Sequence, residues 1–305
     1  MSKIIKFYES GYNPNQLIIQ WNMGNTCNYA CEYCPSILHS GTRPWVELSL
    51  IKDTILKIQN HFPYKKIKLE FLGGETTLYK DFLNLMKFCK DNNFSNMIFS
   101  NASRTVRFWN EVAPYLDKVL LTYHPHTTKK THFKKIIDIC YSNNVNLFIH
   151  LAMTDIHFQD TIKFNDTLNT LYPSVPTSLT LMMDKENKKD FNGYFYNYSQ
   201  DQLSSMRKYK QSETYVAEYD DGKITTYTLN EVKTLELNKF KNFNCGTSPS
   251  FVSIDALGNA SSSICRQKSY INIYDNDIEL LFQDHYCRSD YCKNPADMRI
   301  LKINQ

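Results

Sequence analysis

The sequence of 305 residues lacks a hydrophobic run long enough to span a membrane and lacks a segment resembling a signal peptide. Its longest apolar runs, such as Leu147–Met153, have the length of a strand. Lysine, glutamate, asparagine and proline interrupt Met1–Asn15, which excludes the apolar centre of an export signal. We therefore predict a soluble, cytoplasmic protein.

Strong charge of one sign is missing as well. Lysine and arginine together number 35 and aspartate and glutamate 31, so the formal net charge is only +4. Because the positive charge is small and dispersed along the chain, we do not expect a nucleic-acid surface.

Short β-rich runs alternate with amphipathic stretches of helical spacing through the first 183 residues, which is typical of βα units and a parallel sheet. The predicted strands are Leu17–Trp21, Lys66–Leu72, Asn96–Ser100, Lys118–Tyr123, Asn146–Met153 and Ser178–Met182. The predicted helices between them include Asp81–Asp91, Arg104–Leu116, His132–Ser142 and Phe158–Leu171. Six such units favour an α/β fold, a partial (β/α)6 barrel with its active residues at the C-terminal ends of the strands.

The pattern changes after a polar helix near Gln200–Gln211. A strand at Ile224–Leu229, a helix at Asn230–Asn242 and a hairpin at Phe251–Ser263 turning through Asp255–Gly258 follow in the sequence. We therefore predict a core domain over 1–215 and a small β-hairpin/helix module over 216–305.

Nine cysteines in a reducing compartment favour metal or redox chemistry over disulfides. Two of them, Cys89 and Cys140, stand alone in apolar helical patterns and are predicted to pack in the core. The other seven form a first group of Cys27, Cys31 and Cys34 and a second group of Cys245, Cys265, Cys287 and Cys292.

The first group has the spacing CxxxCxxC and directly follows a predicted strand. Three thiolates in one loop can bind three corners of an iron–sulfur cubane and leave one iron with open coordination positions. A zinc knuckle with His39 as the fourth ligand is the alternative.

A Gly73-Gly74-Glu75 turn ends the second predicted strand. Glycines allow close approach to the backbone, and a carboxylate accepts hydrogen bonds from an ammonium group. The turn lies one βα unit after the cysteine loop, so both are expected at the same end of the sheet.

These two motifs, with Tyr33 just before the last cysteine, resemble the signature of the radical S-adenosylmethionine superfamily over about residues 17–183. The resemblance implies that Cys27, Cys31 and Cys34 bind a four-iron four-sulfur cluster whose open iron takes the methionyl amine and carboxylate of S-adenosylmethionine. It further implies reductive cleavage to a 5′-deoxyadenosyl radical that abstracts hydrogen from substrate, with a flavodoxin or ferredoxin-type reductant.

The resemblance also implies cofactor contacts at the strand ends: Tyr33, Gly73, Gly74, Glu75, Ser100, Asn101, Thr122, His124, His150 and Met182. Ordinary strand packing is the alternative for the last six of these residues. The glycine-rich pattern that the family usually has on the fifth strand is missing from Leu147–Met153. His124 could also face substrate and exchange a proton, and the loop Ser36–Trp45 either covers the site or is an exposed connector.

The second cysteine group resembles the twitch module, a shortened SPASM extension, which implies one auxiliary four-iron four-sulfur cluster. A structural zinc site would use four cysteines equally well.

The function predicted from the sequence is a radical enzyme, an oxidoreductase or related, that oxidises, epimerises or forms a bond in a small-molecule or peptide substrate. Only sixteen residues precede the first predicted strand, which favours a small molecule or short peptide. The alternatives are a non-catalytic iron–sulfur electron-transfer protein and a zinc-stabilised binding protein.

Overall fold

The computed structural model describes residues 2–182, 195–206, 214–245, 249–265, 270–275, 277–282, 286–292 and 295–304. The strands are β1 Ile4–Glu9, β2 Gln16–Asn22, β3 Lys66–Leu72, β4 Ser95–Ser100, β5 Lys118–Tyr123, β6 Asn146–Met153, β7 Thr177–Leu181, β8 Thr214–Tyr219, β9 Ile224–Thr228, β10 Asn244–Cys245, β11 Phe251–Ile254, β12 Asn259–Ser261, β13 Ile271–Asn272 and β14 Lys302–Ile303. The α-helices are α1 Leu48–His61, α2 Phe82–Asp91, α3 Val106–Val112, α4 Lys130–Ser142, α5 Phe158–Leu171, α6 Gln200–Met206, α7 Leu229–Thr234 and α8 Pro295–Met298. Short 3-10 helices lie at Ser36–Leu38, Thr76–Leu78, Ala113–Tyr115 and Ile278–Phe282.

The chain divides into two compact units. Unit 1 comprises 1–22, 49–69 and 211–305, and unit 2 comprises 23–48 and 70–210. The boundary predicted between 215 and 216 stays a prediction.

Unit 2 contains parallel strands connected by helices. Strands β4, β5, β6 and β7 pair in that order, each parallel to the next, and the helices α3, α4 and α5 connect them. The α/β fold with a mostly parallel sheet is confirmed, and it is consistent with the predicted partial barrel.

Helices α2 and α4 each bury one apolar face. The buried positions of α2 are Phe82, Leu85, Met86 and Cys89, and those of α4 are Phe133, Ile136, Ile137 and Cys140. Spacings of three and four residues place each set on one side of its helix, and burial of each large side chain stabilises the fold by roughly 1.5–3 kcal/mol. Cys89 and Cys140 are fully buried, as predicted for core cysteines.

Unit 1 contains an antiparallel sheet that sequence patterns did not predict. Its strand order is β10-β14-β1-β8-β9. The predicted hairpin is present as β11 and β12, which are antiparallel, and β11 pairs in parallel with β2. The hairpin therefore extends a sheet edge that begins at β2.

Two expectations need correction. The predicted helix Asn230–Asn242 is too long, because the helix there is α7, which ends at Thr234. There Glu236 has a φ of 53°, and Leu237 N donates to Val232 O at 2.8 Å, which closes the helix as a Schellman-type end.

The first strand is β1 and not the one near Leu17, so the argument from sixteen preceding residues fails. The predicted polar helix near Gln200–Gln211 is α6 through Met206, and the remainder of that prediction lies outside the described residues. None of the described helices has both the length and the apolar composition that crossing a membrane requires.

Candidate functional site

The cysteine loop follows β2, and all three of its thiols belong to partly exposed residues. Cys27 Sγ accepts a hydrogen bond from Tyr29 N at 3.4 Å, and Cys34 N donates to Cys31 O at 2.9 Å. Burial raises the pKa of the Cys27 and Cys31 thiols, and the neighbouring cysteines of the loop raise it further. The three thiols therefore lie within electrostatic reach of one another, and a bound cation would favour their thiolate forms.

Asn25 holds the chain on either side of the cysteines. Its side-chain amide donates to Ile37 O at 2.7 Å and to Ser40 Oγ at 3.0 Å, while its Oδ1 accepts from Arg43 N at 2.7 Å. The indole of Trp45 packs against Gly24. The loop Ser36–Trp45 is thus fastened to the segment that leads into Cys27.

The glycine turn after β3 packs directly on this same segment. Gly74 has a φ of 28°, and a Cβ placed there would lie 2.0 Å from Thr26 O. Glu75 N donates to that carbonyl at 2.8 Å. A side chain at position 74 would therefore separate the glycine turn from the cysteine loop.

The Glu75 carboxylate is buried and accepts four hydrogen bonds. Oε1 accepts from Thr77 N at 3.1 Å, from Thr77 Oγ1 at 2.5 Å and from Ser100 Oγ at 2.8 Å, and Oε2 accepts from Asn101 N at 2.6 Å. Burial raises the pKa of this carboxyl, and the donors oppose the rise. Glu75 thus fastens the glycine turn to the end of β4.

Asn101 connects this network to Cys27. Its Nδ2 lies 3.8 Å from Cys27 Sγ and donates to Asn28 Oδ1 at 3.1 Å. Ser100 and Asn101, which were predicted as cofactor contacts, therefore both lie beside Glu75, and Asn101 also lies beside the first cysteine.

His124, at the end of β5, adjoins the other side of the cysteine loop. Its Nδ1 is 2.5 Å from the Tyr33 hydroxyl and 3.6 Å from Cys31 Sγ. The Tyr33 and His124 rings stack with an interplanar angle of 11°. Burial lowers the pKa of His124 to about 4, so at neutral pH the imidazole is uncharged. Nδ1 can then accept a hydrogen bond from the Tyr33 hydroxyl.

A polar row crosses β5, β6 and β7 on one face of the sheet. Thr122 pairs with His150, and His150 pairs with Ser178. Burial lowers the pKa of His150 to about 4, and the His150 ring lies edge-on to Phe148 at 5.1 Å. Neutral His150 offers one donor and one acceptor on this face.

Residues 195–198 lie against the end of β7 and against the cysteine loop. The Tyr198 hydroxyl accepts from Met182 N at 3.1 Å and donates to Met153 O at 2.6 Å. Tyr196 donates to Glu32 Oε1 at 2.6 Å, and its ring lies edge-on to Tyr33. Met182, a predicted contact, is therefore held by its backbone at this edge.

The second cysteine group lies in unit 1, and its residues come from three segments of the chain, because Cys287 and Cys292 share one. Cys245, Cys287 and Cys292 are buried and Cys265 is exposed. Cys287 N donates to Phe243 O at 2.9 Å, and Cys292 N donates to Asn238 O at 2.8 Å. These backbone bonds hold the Cys287–Cys292 segment against the chain that leads into β10.

The thiols of this group influence one another. Burial raises the pKa of Cys287, and the nearby Cys245 and Cys265 thiols raise it further. Burial also raises the pKa of Cys292, to about 12. Within the described ranges, no three His, Cys, Asp or Glu side chains stand close enough together to form a single-ion site.

Sequence reasoning missed the residues that hold these sites in place. Asn25, Tyr196 and Lys302 have no characteristic spacing to any motif, and their partners are distant in the chain or belong to the backbone. The one available signal was the position of Asn25 two residues before Cys27, which by itself indicates nothing.

No protein-family model matches the chain, and no curated protein matches its sequence. Among solved structures the chain is similar to native anSMEcpe with bound AdoMet and Cp18Cys peptide, at a TM-score of 0.59 and 15% identity over 88% of this chain and 80% of that one. Native anSMEcpe with bound AdoMet and Kp18Cys peptide has a TM-score of 0.59 and 16% identity, over 88% of this chain and 81% of that one. BtrN in complex with AdoMet and 2-DOIA has a TM-score of 0.43 and 13% identity, over 90% of this chain and 97% of that one. The chain therefore shares the fold of anSMEcpe, an α/β fold with a mostly parallel sheet, as the strand and helix pattern predicted.

Proposed function

We propose that this chain is a radical S-adenosylmethionine enzyme. The observation that carries the proposal is the contact between the two motifs: the glycine turn is fastened to Thr26, the residue before the first of three clustered thiols. The shared fold supports it, because anSMEcpe binds AdoMet in that fold.

The three thiols suit an iron–sulfur cluster. Cys27, Cys31 and Cys34 would bind three irons as thiolates, and the raised pKa values of Cys27 and Cys31 mean that metal binding would release protons from these two thiols. When bound, the cluster and S-adenosylmethionine supply one electron and the deoxyadenosyl group as the radical that abstracts hydrogen. Asn101 is placed to donate to Cys27, and the Tyr33–His124 pair orients the other side of the loop.

The strand ends supply the remaining polar groups for the cofactor. Gly73 and Gly74 allow the backbone to approach the methionyl end, and Glu75 holds that turn through its four hydrogen bonds. Thr122, His124, His150 and Met182 are proposed contacts at the neighbouring strand ends. Direct binding of the amine by Glu75 stays a prediction, since its carboxylate already accepts from three residues.

We further propose that the second cysteine group binds an auxiliary four-iron four-sulfur cluster in a twitch-like module. Four thiols from three segments of the chain are enough to close the coordination of one cluster. Structural zinc is the competing assignment, and metal content separates the two. Protein reconstituted without air should hold about eight irons per chain, whereas tightly bound zinc with about four irons would reject the auxiliary cluster.

The substrate is proposed to be a peptide or a small molecule, with a flavodoxin or ferredoxin-type protein as the reductant. The peptide option is supported by the anSMEcpe structures, which contain peptides. The type of reaction that follows hydrogen abstraction is left open.

Release of 5′-deoxyadenosine tests the proposed function. Reconstituted protein, dithionite and S-adenosylmethionine should yield 5′-deoxyadenosine under anaerobic conditions. Cys140→Ala is the matched control for Cys31→Ala in this assay, because it removes a cysteine that is buried on α4 and is in neither group. No product from iron-loaded protein, with candidate peptides and small molecules present, would reject the proposal in favour of an electron-transfer or zinc-binding protein.

A further inference from the structure

A buried lysine lies within the second cysteine group. We propose that Lys302 is the counter-charge of this thiolate site and raises the reduction potential of the cluster that it binds. The inference rests on the proposed auxiliary cluster, and it assigns Lys302 a positioning and electrostatic role that no cysteine spacing could indicate.

The backbone places Lys302 beside a cysteine. In the antiparallel pair β10–β14, Cys245 and Lys302 are direct cross-strand partners. Directly paired residues project from the same face of a sheet, with Cβ atoms about 4.5–5.5 Å apart. Lys302 is only 1% exposed, so its ammonium group has little access to water.

The ammonium group is held in place by specific contacts. Nζ donates to Asp297 O and, at 2.7 Å, to Ile300 O. It also lies 5.4 Å from the centre of the Phe240 ring. Phe240 belongs to the buried cluster that contains Cys287 and Cys292, so Lys302 contacts the cluster in which these two cysteines are packed.

A second buried polar group, Asp297, adjoins Lys302 through its backbone carbonyl. The Asp297 carboxylate accepts from Ile264 N at 2.6 Å, and its Oδ2 has no hydrogen-bond partner among the described residues. The ammonium is therefore held by the backbone carbonyls of Asp297 and Ile300.

A fixed positive charge has a defined effect on a thiolate-bound cluster. The site is already anionic, and one-electron reduction by an external donor such as dithionite adds a further negative charge. Burying that charge without compensation is costly, and net charge is one of the determinants of cluster potential. Lys302 should therefore favour the reduced state and the assembly of the site.

The experiment uses the full-length chain with Cys27, Cys31 and Cys34 replaced by alanine, so that only the second site can hold a cluster. This parent is compared with Lys302→Gln, Lys302→Arg and Lys241→Gln. Lys241 is the matched surface control, because it is exposed and paired with Asp290 between Cys287 and Cys292. Reduction is followed by electron paramagnetic resonance during an anaerobic potential titration.

At the potential that half-reduces the parent, K302Q should lower the ratio of reduced to oxidised cluster about tenfold, which corresponds to about 59 mV for one electron. K302R and K241Q should stay within about twofold of the parent. If K302Q has the parent's midpoint, the role of Lys302 is wrong while the auxiliary cluster stands.

If K302Q loses the cluster, the iron content of K302R shows whether the missing positive charge is the cause. Retained iron in K302R supports the need for a positive charge, and equal loss from both variants overturns it. A parent that binds zinc and no iron overturns the auxiliary cluster itself, and with it the role of Lys302. Iron content and far-ultraviolet circular dichroism are measured on every variant.

Discussion

The two cysteine groups differ in how the chain brings their thiols together and in how deeply the thiols are buried. Cys27, Cys31 and Cys34 come from one loop and are partly exposed, whereas the second group comes from three segments and three of its members are buried. Neutral polar side chains such as His124 and Asn101 adjoin the first group, while the second has a buried ammonium. The first arrangement suits a cluster that must accept a ligand, and the second suits a cluster enclosed by the protein.

Removing one cysteine from each group tests most directly whether the two groups have separate roles. Cys31→Ala should lower 5′-deoxyadenosine formation on the order of 10³-fold, because the cofactor-binding cluster loses a corner. Cys292→Ala should reduce iron to about four per chain while cofactor cleavage stays within about tenfold. Iron analysis and chromatography of the nucleoside products check both, and equal losses of cleavage would show that the sites are not separable in this way.

A pair of glycine variants tests the contact between the glycine turn and the cysteine loop. Gly74→Ala should destabilise the fold by about 1–3 kcal/mol and weaken S-adenosylmethionine binding, because the new Cβ meets the Thr26 carbonyl. Gly222→Ala is the control, since Gly222 also has a positive φ but has no atom within 4 Å of a Cβ. Chemical denaturation and calorimetric titration give the two quantities, and equal binding by both variants would contradict the proposed contact.

A smaller effect is expected from pH. Burial lowers the pKa of His150 to about 4, so between pH 6.5 and 4 the unfolded chain binds the proton more readily than the folded chain. The stability that neutral His150 contributes is therefore present above pH 6.5 and is lost as the pH falls through this window, by at most about 1.4 kcal/mol per pH unit.

His150→Gln should reduce the loss of stability that occurs as the pH falls from 6.5 to 4. The difference in the free energy of unfolding between wild type and variant is measured at pH 8 and at pH 5. A difference that is the same at both values would mean that His150 is not held neutral by the fold.

The same contrast explains what could be predicted from the sequence. The six barrel strands carry dense apolar and β-branched residues, and the first cysteines are neighbours in the chain, so local patterns indicated both. The sheet of β1, β8 and β14 was missed because its strands are short or weakly patterned and pair over separations of more than 200 residues.

The supporting residues are harder still to predict. Lys302 acquires its role only through pairing with Cys245, which no spacing indicates. Glu75 was recognised from its motif, but two of its four hydrogen bonds come from Ser100 and Asn101 at the end of β4. The helix expected over Asn230–Asn242 failed because Asn238 bonds with the backbone of Cys292 instead.

The central claim is that the first group leaves an iron open to S-adenosylmethionine and the second does not. The most direct measurement is the electron paramagnetic resonance spectrum of each reduced cluster with and without S-adenosylmethionine, taken on variants that retain one group at a time. The account predicts that the cofactor changes the spectrum of the cluster bound by Cys27, Cys31 and Cys34 and leaves that of the second cluster unchanged. An unchanged first spectrum, or a change confined to the second, would contradict it.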